Sequence, residues 1–312
     1  MWESYPFLRD EMTEFEKYIQ REYPAGKGVL NDLSAEAIFS GGKRIRPVLT
    51  ILSAMSGKYD REKVFPLAAA IETLHTATLV HDDIIDDADI RRGKPTVSKK
   101  HGTNMAVYTG DYLLASSILL LIRSGLPTDL SAHVAKAVRM MCIGEVNQYL
   151  SRYDITGVSS YLRRVMKKTG ILFAASTGCG SYAAGLEESQ VKIMTRLGLN
   201  MGVAFQIRDD LLDMQSDSGK EGKPVKKDLA EGIATLPVIF AVMKDEKIKD
   251  TVEKFHNGLI DVKDVYRLVR QSGGVDNTLR MKERYIKRCR DLLDQIPRTE
   301  NLKEIEDIIG WL

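Results

Sequence analysis

Asp82-Asp83-Ile84-Ile85-Asp86 and Asp209-Asp210-Leu211-Leu212-Asp213 repeat one D-D-x-x-D pattern 127 residues apart. At 3.6 residues per turn, the first and last aspartate of each cluster share a helical face. Like charges at that spacing repel, and carboxylates in apolar surroundings need a partner. Divalent cations would supply it, and oxygen-only ligation points to Mg2+ rather than zinc. Mg2+ held by few carboxylates completes its shell with water and phosphate oxygens, so the pattern suggests an enzyme that binds a diphosphate. A lone D-D-x-x-D is more often a solvated acidic face. Here the preceding stretches, Leu74–His81 and Met201–Ile207, are apolar, and two copies make coincidence a weak explanation.

An anion held by metal needs cations on its other side. Gly41-Gly42-Lys43-Arg44-Ile45-Arg46-Pro47 is a glycine-hinged basic loop leading into a helix, where backbone N–H groups and guanidinium forks would together bind phosphate. Arg91-Arg92-Gly93 follows the first cluster by five residues. Lys167-Lys168-Thr169 lies within an apolar helical stretch, and Lys223 lies in a loop. Any one of these groups alone reads as a solvated surface charge. Their combination with both aspartate clusters carries the case.

The elements that must position these residues are helices. Pro47 to Gly57 reads as a short helix with proline near its start and glycine at its stop. Helical periodicity then covers Val64–Asp87, Ala132–Tyr149, Ser160–Ala184, Ser189–Asp213, Thr235–Met243, Val262–Ser272 and Val275–Gln295. Period-2 alternation bounded by turn residues is absent, so no sheet is expected. Asp217–Pro224 is the clearest loop and directly follows the second cluster, as a lid over a charged site would. No Pro/Gly/Ser-rich linker divides the chain. The expected fold is all-α: a single domain over residues 1–312, a bundle of ten or more helices around a large central cavity, with a charged last third as a peripheral layer.

Bulk properties bound the function classes. The 312 residues carry 45 basic and 43 acidic side chains, a net charge of +2 that gives no argument for a nucleic-acid partner. Cys142, Cys179 and Cys289 show neither a disulfide nor a zinc spacing, and all three read as buried core residues. The N-terminus lacks the apolar core of a signal peptide. The longest apolar stretch, Tyr112–Ile122, is too short to span a bilayer, so no integral membrane segment is expected. A cytoplasmic protein follows, with peripheral membrane contact reserved for release of a greasy product.

The motifs carry a family resemblance. GGKRIRP at Gly41–Pro47, LHTATLVHDDIIDDADIRRGKPT at Leu74–Thr96, GDYLL at Gly110–Leu114, Lys168-Thr169, FQIRDDLLD at Phe205–Asp213 and GKPVKKDLAEGIATLP at Gly222–Pro237 resemble the trans-isoprenyl (polyprenyl) diphosphate synthases in order and spacing. The chain resembles most the catalytic subunit of bacterial hexaprenyl and heptaprenyl diphosphate synthases. The resemblance implies head-to-tail condensation of an allylic diphosphate, with farnesyl diphosphate the expected primer, and isopentenyl diphosphate. It assigns Mg2+, about three ions per active site with substrate bound, to Asp82, Asp83, Asp86, Asp209, Asp210 and Asp213. It assigns isopentenyl diphosphate to Gly42, Lys43, Arg46, His75 and Arg92, and the allylic diphosphate to Arg91, Lys168, Thr169, Gln206 and Lys223. The catalytic set is then Asp82, Asp83, Asp86, Lys168, Gln206, Asp209 and Asp210. His75 without the family match would read as a core histidine. One departure stands out: the family has glycine at one of the two positions after Val225, where this chain has Lys226 and Lys227.

Product length is expected to follow from the helix before the first cluster. Ala77 and Thr78 are small where relatives that make farnesyl or geranylgeranyl chains carry an aromatic plug. Leu74 and Ile71 come next on that face, Ile71 about 16 Å from Asp82 along the helix. A hexaprenyl to octaprenyl product for quinone side chains is expected, with a farnesyl or geranylgeranyl synthase as the alternative. A class I terpene cyclase or a squalene/phytoene synthase would pair one D-D-x-x-D with a different second motif and would not need the Gly41–Pro47 loop. A silent regulatory subunit would have lost aspartates, and none is lost. A cation-binding helical scaffold would leave the basic groups accidental. The expected partner is a second copy of the chain, or a small non-catalytic subunit, meeting stretches such as Tyr112–Ile122 and Ala132–Ile143.

Overall fold

A computed structural model describes residues 5–215, 227–297 and 302–312. The element order is α1 (Pro6–Glu22), α2 (Val29–Ile38), α3 (Ile45–Ala54), α4 (Arg61–Ile85), a hairpin of β1 (Ile90–Arg91) and β2 (Lys94–Pro95), α5 (Val97–His101), α6 (Thr103–Arg123), α7 (Thr128–Leu150) and α8 (Val158–Val165). A π turn (Met166–Gly170) leads into α9 (Ile171–Ala183) and α10 (Glu188–Gln215). Then follow α11 (Lys227–Ala230), α12 (Leu236–Lys244), α13 (Lys247–His256), α14 (Val262–Gln271), α15 (Gly274–Leu293) and α16 (Leu302–Trp311). The fold is all-α, as the helical periodicity requires. The chain divides into two compact units. One comprises Met1–Val134, Leu172–Thr195 and Ile296–Ile308; the other comprises Ala135–Ile171, Arg196–Gln295 and Ile309–Leu312.

The first unit is organised on α4, which packs against α6 and α3. Asp60 caps its N-terminus by accepting from the Glu62 N–H at 3.0 Å, satisfying one of the unpaired first-turn donors. Along its length Leu67, Ile71, Leu74 and Ala77 are buried, so this helix is fixed by its apolar packing. Gly110 on α6 sits where a Cβ would fall 2.3 Å from His81 Nε2, so glycine there leaves room for the imidazole that precedes the first cluster.

The second unit has a core of Met214, Leu229, Val238, Ile248, Val265 and Val269, supplied by α10 to α14. Helix α12 lies against α15 and α14, and a Cβ at Gly274 would stand 2.3 Å from the Pro237 carbonyl oxygen. Core packing therefore anchors the C-terminal end of α10, the end that carries the second cluster.

Four expectations need amendment. A two-residue hairpin exists where no sheet was expected, because Arg92 (φ 51°) and Gly93 (φ 75°) form a tight turn with positive φ at both central positions. The Ser160–Ala184 helix is interrupted by the π turn. Cys142 is exposed, whereas Cys179 and Cys289 are buried. The apolar stretch at Tyr112–Ile122 belongs to a longer helix, α6, which by length and composition alone could cross a membrane. One side of α6, including Ala106, Leu113 and Leu120, is buried in the first unit, while Tyr108, Tyr112, Ile118, Leu119 and Ile122 are exposed on the other.

Candidate active site

In the first unit the candidate residues are built on α4, the α3 entry and the hairpin. Asp82 and Asp86 are half-buried on one face, while Asp83 is 6% exposed and turned inward. Arg91 Nε donates to Asp83 Oδ1 at 2.5 Å, so the hairpin's first strand is tied to the second aspartate of the cluster. Arg92 occupies a left-handed conformation at the turn tip, which costs a non-glycine residue of order 1 kcal/mol. Its guanidinium lies against Gly42: a Cβ there would be 2.6 Å from Nη1, and Gly42 has φ 132°. The backbone conformation therefore favours glycine at 42, and a Cβ there would push the Arg92 guanidinium aside.

The basic loop divides its charges. Arg44, the N-cap of α3 with φ 50°, is buried and ion-paired to Glu16 at 2.8 Å and Glu72 at 3.0 Å. It is a structural cation. Arg46 stands with its guanidinium carbon 5.0 Å from the Phe173 ring centroid. The Arg44 side chain does not itself cap the α3 N-terminus, and that end of a helix attracts anions. Among Arg46, Arg92, Arg91 and Arg44, the His75 side chain is held well below the usual imidazole range, first by burial and then by the four positive charges. His75 therefore stays neutral and offers a hydrogen bond rather than a charge. A cavity of about 400 Å³ opens on the adjoining face of α4, lined among others by Ser40, Thr76, Leu79, Asp83, Arg91 and Arg92.

In the second unit the candidate residues are built on α10, α8 and the π turn. Asp209 is exposed, Asp213 half-buried, and Asp210 2% exposed. Asp210 accepts from Tyr161 Oη at 2.6 Å, Gln206 Nε2 at 3.2 Å and the Leu236 N–H at 3.3 Å. Burial raises its pKa, and those three donors pull it back. Thr169 Oγ1 donates to Gln206 Oε1 at 3.0 Å, so Thr169, Gln206 and Asp210 form one chain of hydrogen bonds. Lys168 Nζ pairs with Glu145 Oε2 at 2.8 Å. The π turn that carries Lys168 and Thr169 is the kind of helix irregularity often found at functional sites. Tyr266 Oη donates to Asp213 Oδ2 at 3.1 Å. Asp228 is pushed up to about 7 by burial and by the carboxylates of Asp210, Asp213 and Glu231.

The structure thus groups Gly42, His75, Arg91, Arg92 and Asp83 in one unit, and Thr169, Gln206 and Asp210 in the other. On α4, Ile71, Leu74 and Ala77 are buried, and the half-buried Thr78 donates its hydroxyl to the His75 carbonyl at 2.8 Å. Lys223 and Lys226 lie outside the described residues. Sequence reading missed Tyr161, Tyr266, Glu145 and Asp228. The two tyrosines stand 49 and 53 residues from their aspartates, in no motif, whereas Asp228 lies inside the Gly222–Pro237 motif and was open to notice.

Among the described residues no three His, Cys, Asp or Glu side chains gather around one point. The donors come instead as i,i+4 pairs, Asp82 with Asp86 and Asp209 with Asp213. An all-oxygen donor set in pairs fits Mg2+, which takes one or two carboxylates and fills its octahedron with water and phosphate.

Comparison with known proteins shows the family. The polyprenyl synthetase family profile matches residues 27–269. Component 2 of heptaprenyl diphosphate synthase from Geobacillus stearothermophilus is 36% identical over 313 residues, covering 99% of this chain and 97% of that protein. The crystal structure of heptaprenyl diphosphate synthase from Staphylococcus aureus superposes with a TM-score of 0.90 at 30% identity, over 97% of this chain and 96% of that one. The polyprenyl synthase of Caulobacter crescentus CB15, solved with calcium and isoprenyl diphosphate, gives 0.89 at 29% identity, over 98% and 94%. The chain belongs to the polyprenyl synthetase family, with the all-α fold of isoprenoid synthases, and is a prenyltransferase of the polyprenyl diphosphate synthase type.

Proposed function

We propose that the protein elongates an allylic diphosphate, farnesyl diphosphate as primer, with isopentenyl diphosphate to a hexaprenyl to octaprenyl diphosphate for quinone side chains, in a Mg2+-dependent reaction. The observation that carries this reading is the intact pair of aspartate clusters together with the basic loop and hairpin. Asp82, Asp86, Asp209 and Asp213 would hold the metal, and Asp83 and Asp210, each already engaged by protein donors, complete the two clusters. Bound Mg2+ supplies electrophilic stabilisation of the departing diphosphate.

The protein's own residues do the rest. Arg91, Lys168 and Lys223 neutralise the allylic diphosphate, so that its C–O bond ionises to an allylic cation. Lys43, Arg46 and Arg92, with the Gly42 backbone and neutral His75, orient isopentenyl diphosphate. Its double bond attacks C1 of the cation, and the proton then lost from the new tertiary cation passes to the released diphosphate. By the family resemblance, the oxygens of Thr169 and Gln206, hydrogen-bonded to each other at 3.0 Å, would line the allylic site and stabilise positive charge there. Small residues at Ala77 and Thr78 leave the growing tail room along α4, with Leu74 and Ile71 further on.

The relative from Geobacillus is named component 2 of its synthase, and the exposed apolar side of α6 suits a protein partner. We assign the chain to a homodimer or to a heterodimer with a small non-catalytic subunit, in the cytoplasm, with peripheral membrane contact at product release. The test is to incubate the purified chain with Mg2+, farnesyl diphosphate and radiolabelled isopentenyl diphosphate and to size the products. C30 to C40 chains support the reading. Products ending at C20 or shorter favour the farnesyl or geranylgeranyl alternative, and activity only after a second polypeptide is added establishes the two-component form.

A further inference from the structure

The tightest cation–π contact among the described residues lies beside the second aspartate cluster. Arg208, one residue before Asp209, places its guanidinium carbon 3.6 Å from the centroid of the Trp311 ring. The Phe205 ring packs on the same indole, with centroids 6.3 Å apart. On α10, Phe205, Arg208, Asp209 and Leu212 are spaced i, i+3, i+4 and i+7, so they form one strip of the helix surface. Trp311 therefore packs on Phe205 and Arg208 of this strip, immediately before the exposed Asp209. Arg208 and Trp311 are themselves half-buried.

A fixed positive charge next to a cation-binding carboxylate weakens cation binding unless something holds it aside. Stacking on an aromatic face does so, because it rewards one orientation of the planar guanidinium. We propose that Trp311 is a positioning residue for the second cluster: its indole holds the Arg208 guanidinium in place and keeps that charge from competing with the divalent cation for Asp209. Phe205 is the second wall of the same holder. The proposal rests on the reading of Asp209 as a Mg2+ ligand.

The test measures binding of Mn2+, used in place of Mg2+, to the full chain by loss of the free-ion electron paramagnetic resonance signal, without substrate or turnover. Trp311→Leu releases the guanidinium and should weaken Mn2+ binding roughly threefold to tenfold, the scale for moving a unit charge by a few ångströms at an effective dielectric of about 20. Adding Arg208→Met to Trp311→Leu should restore parental binding, and Trp311→Phe should retain most of it. Arg208→Lys keeps the charge but loses the planar stack, so it should weaken Mn2+ binding with Trp311 untouched. This variant keeps the proposal falsifiable if Trp311→Leu misfolds by circular dichroism. Parental binding in both Trp311→Leu and Arg208→Lys would overturn the proposal, as would a Trp311→Leu defect that persists in the double variant. Asp209→Asn separates the two levels. If it binds Mn2+ as the parent does, the metal reading of the second cluster fails; if it alone loses binding, only the role of Trp311 fails.

Discussion

Tyr161→Phe removes one oxygen from the candidate residues of the second unit and tests how Asp210 is held. The Tyr161 ring is 1% exposed and its hydroxyl donates at 2.6 Å to Asp210, itself 2% exposed. Phenylalanine keeps the ring packing, so the change isolates the hydrogen bond. A short bond to a buried carboxylate is worth about 2 kcal/mol, because the acceptor left behind is still desolvated. Asp210 then retains only the Gln206 amide and the Leu236 N–H among these donors, at 3.2 and 3.3 Å. Loosening it loosens Gln206, and through Gln206 the hydroxyl of Thr169. Urea denaturation should show the loss of about 2 kcal/mol, and Mg2+ titration of activity should show roughly tenfold weaker dependence, as for other groups that orient metal-binding residues. Tyr266→Phe is the internal comparison: its 3.1 Å bond goes to the less buried Asp213, and the expected loss is nearer 1 kcal/mol. A Tyr161→Phe change under about 0.5 kcal/mol, with parental Mg2+ dependence, would refute the claim that Asp210 is held by this network.

Three further perturbations address the candidate residues of the first unit and the helix proposed to set product length. His75 is neutral in the fold because burial and four arginines depress its pKa, so below the ordinary value of about 6.5 the unfolded chain takes up a proton that the folded chain refuses. Stability should fall as pH drops from about 6.5 toward 5, and His75→Gln should flatten that decline in denaturation curves; an unaltered slope would remove His75 as its source. Gly42→Ala forces a methyl to within 2.6 Å of Arg92 Nη1 at φ 132°, and should raise KM for isopentenyl diphosphate about tenfold with a smaller change in kcat. A parental KM would separate Arg92 from that substrate. Ala77→Phe fills a buried site on α4 and should shorten the products seen on reversed-phase plates, whereas an unchanged length distribution would sink the assignment of that face to the prenyl tail.

How much of this was legible in the sequence depends on whether an interaction is local. The long helices were, because an apolar stripe at period 3.6 declares both the element and its buried side. The 25-residue α4 was expected at Val64–Asp87 and runs Arg61–Ile85. The hairpin was not, because two-residue strands have no periodicity and its turn uses Arg92 where Asn would be the usual choice. The i,i+4 rule correctly put Asp82 with Asp86 and Asp209 with Asp213. It said nothing of the middle aspartates, whose direction depends on what each helix packs against. Asp83 and Asp210 turn inward toward donors that no spacing announces: an arginine eight residues on, and a tyrosine 49 residues back.

The basic loop shows the same limit in its sharpest form. In sequence Lys43, Arg44 and Arg46 share one basic loop, and the resemblance gives a substrate role to Lys43 and Arg46 and none to Arg44. In the fold Arg44 is committed to Glu16 and Glu72, and breaking a buried pair of this kind costs about 3–5 kcal/mol because the remaining charge is stranded. Arg44 therefore cannot turn toward a substrate without a large part of the domain's stability going with it. Its left-handed backbone is what separates it from its neighbours, since φ 50° at the α3 N-cap directs the side chain between α1 and α4. The consequence is specific. Arg44→Met should destabilise the first unit by several kcal/mol while any folded fraction keeps a parental KM for isopentenyl diphosphate. Arg46→Met should do the reverse, leaving denaturation nearly unchanged and raising that KM. If the two variants exchanged these phenotypes, the division of the loop into one structural and two substrate-facing cations would be wrong.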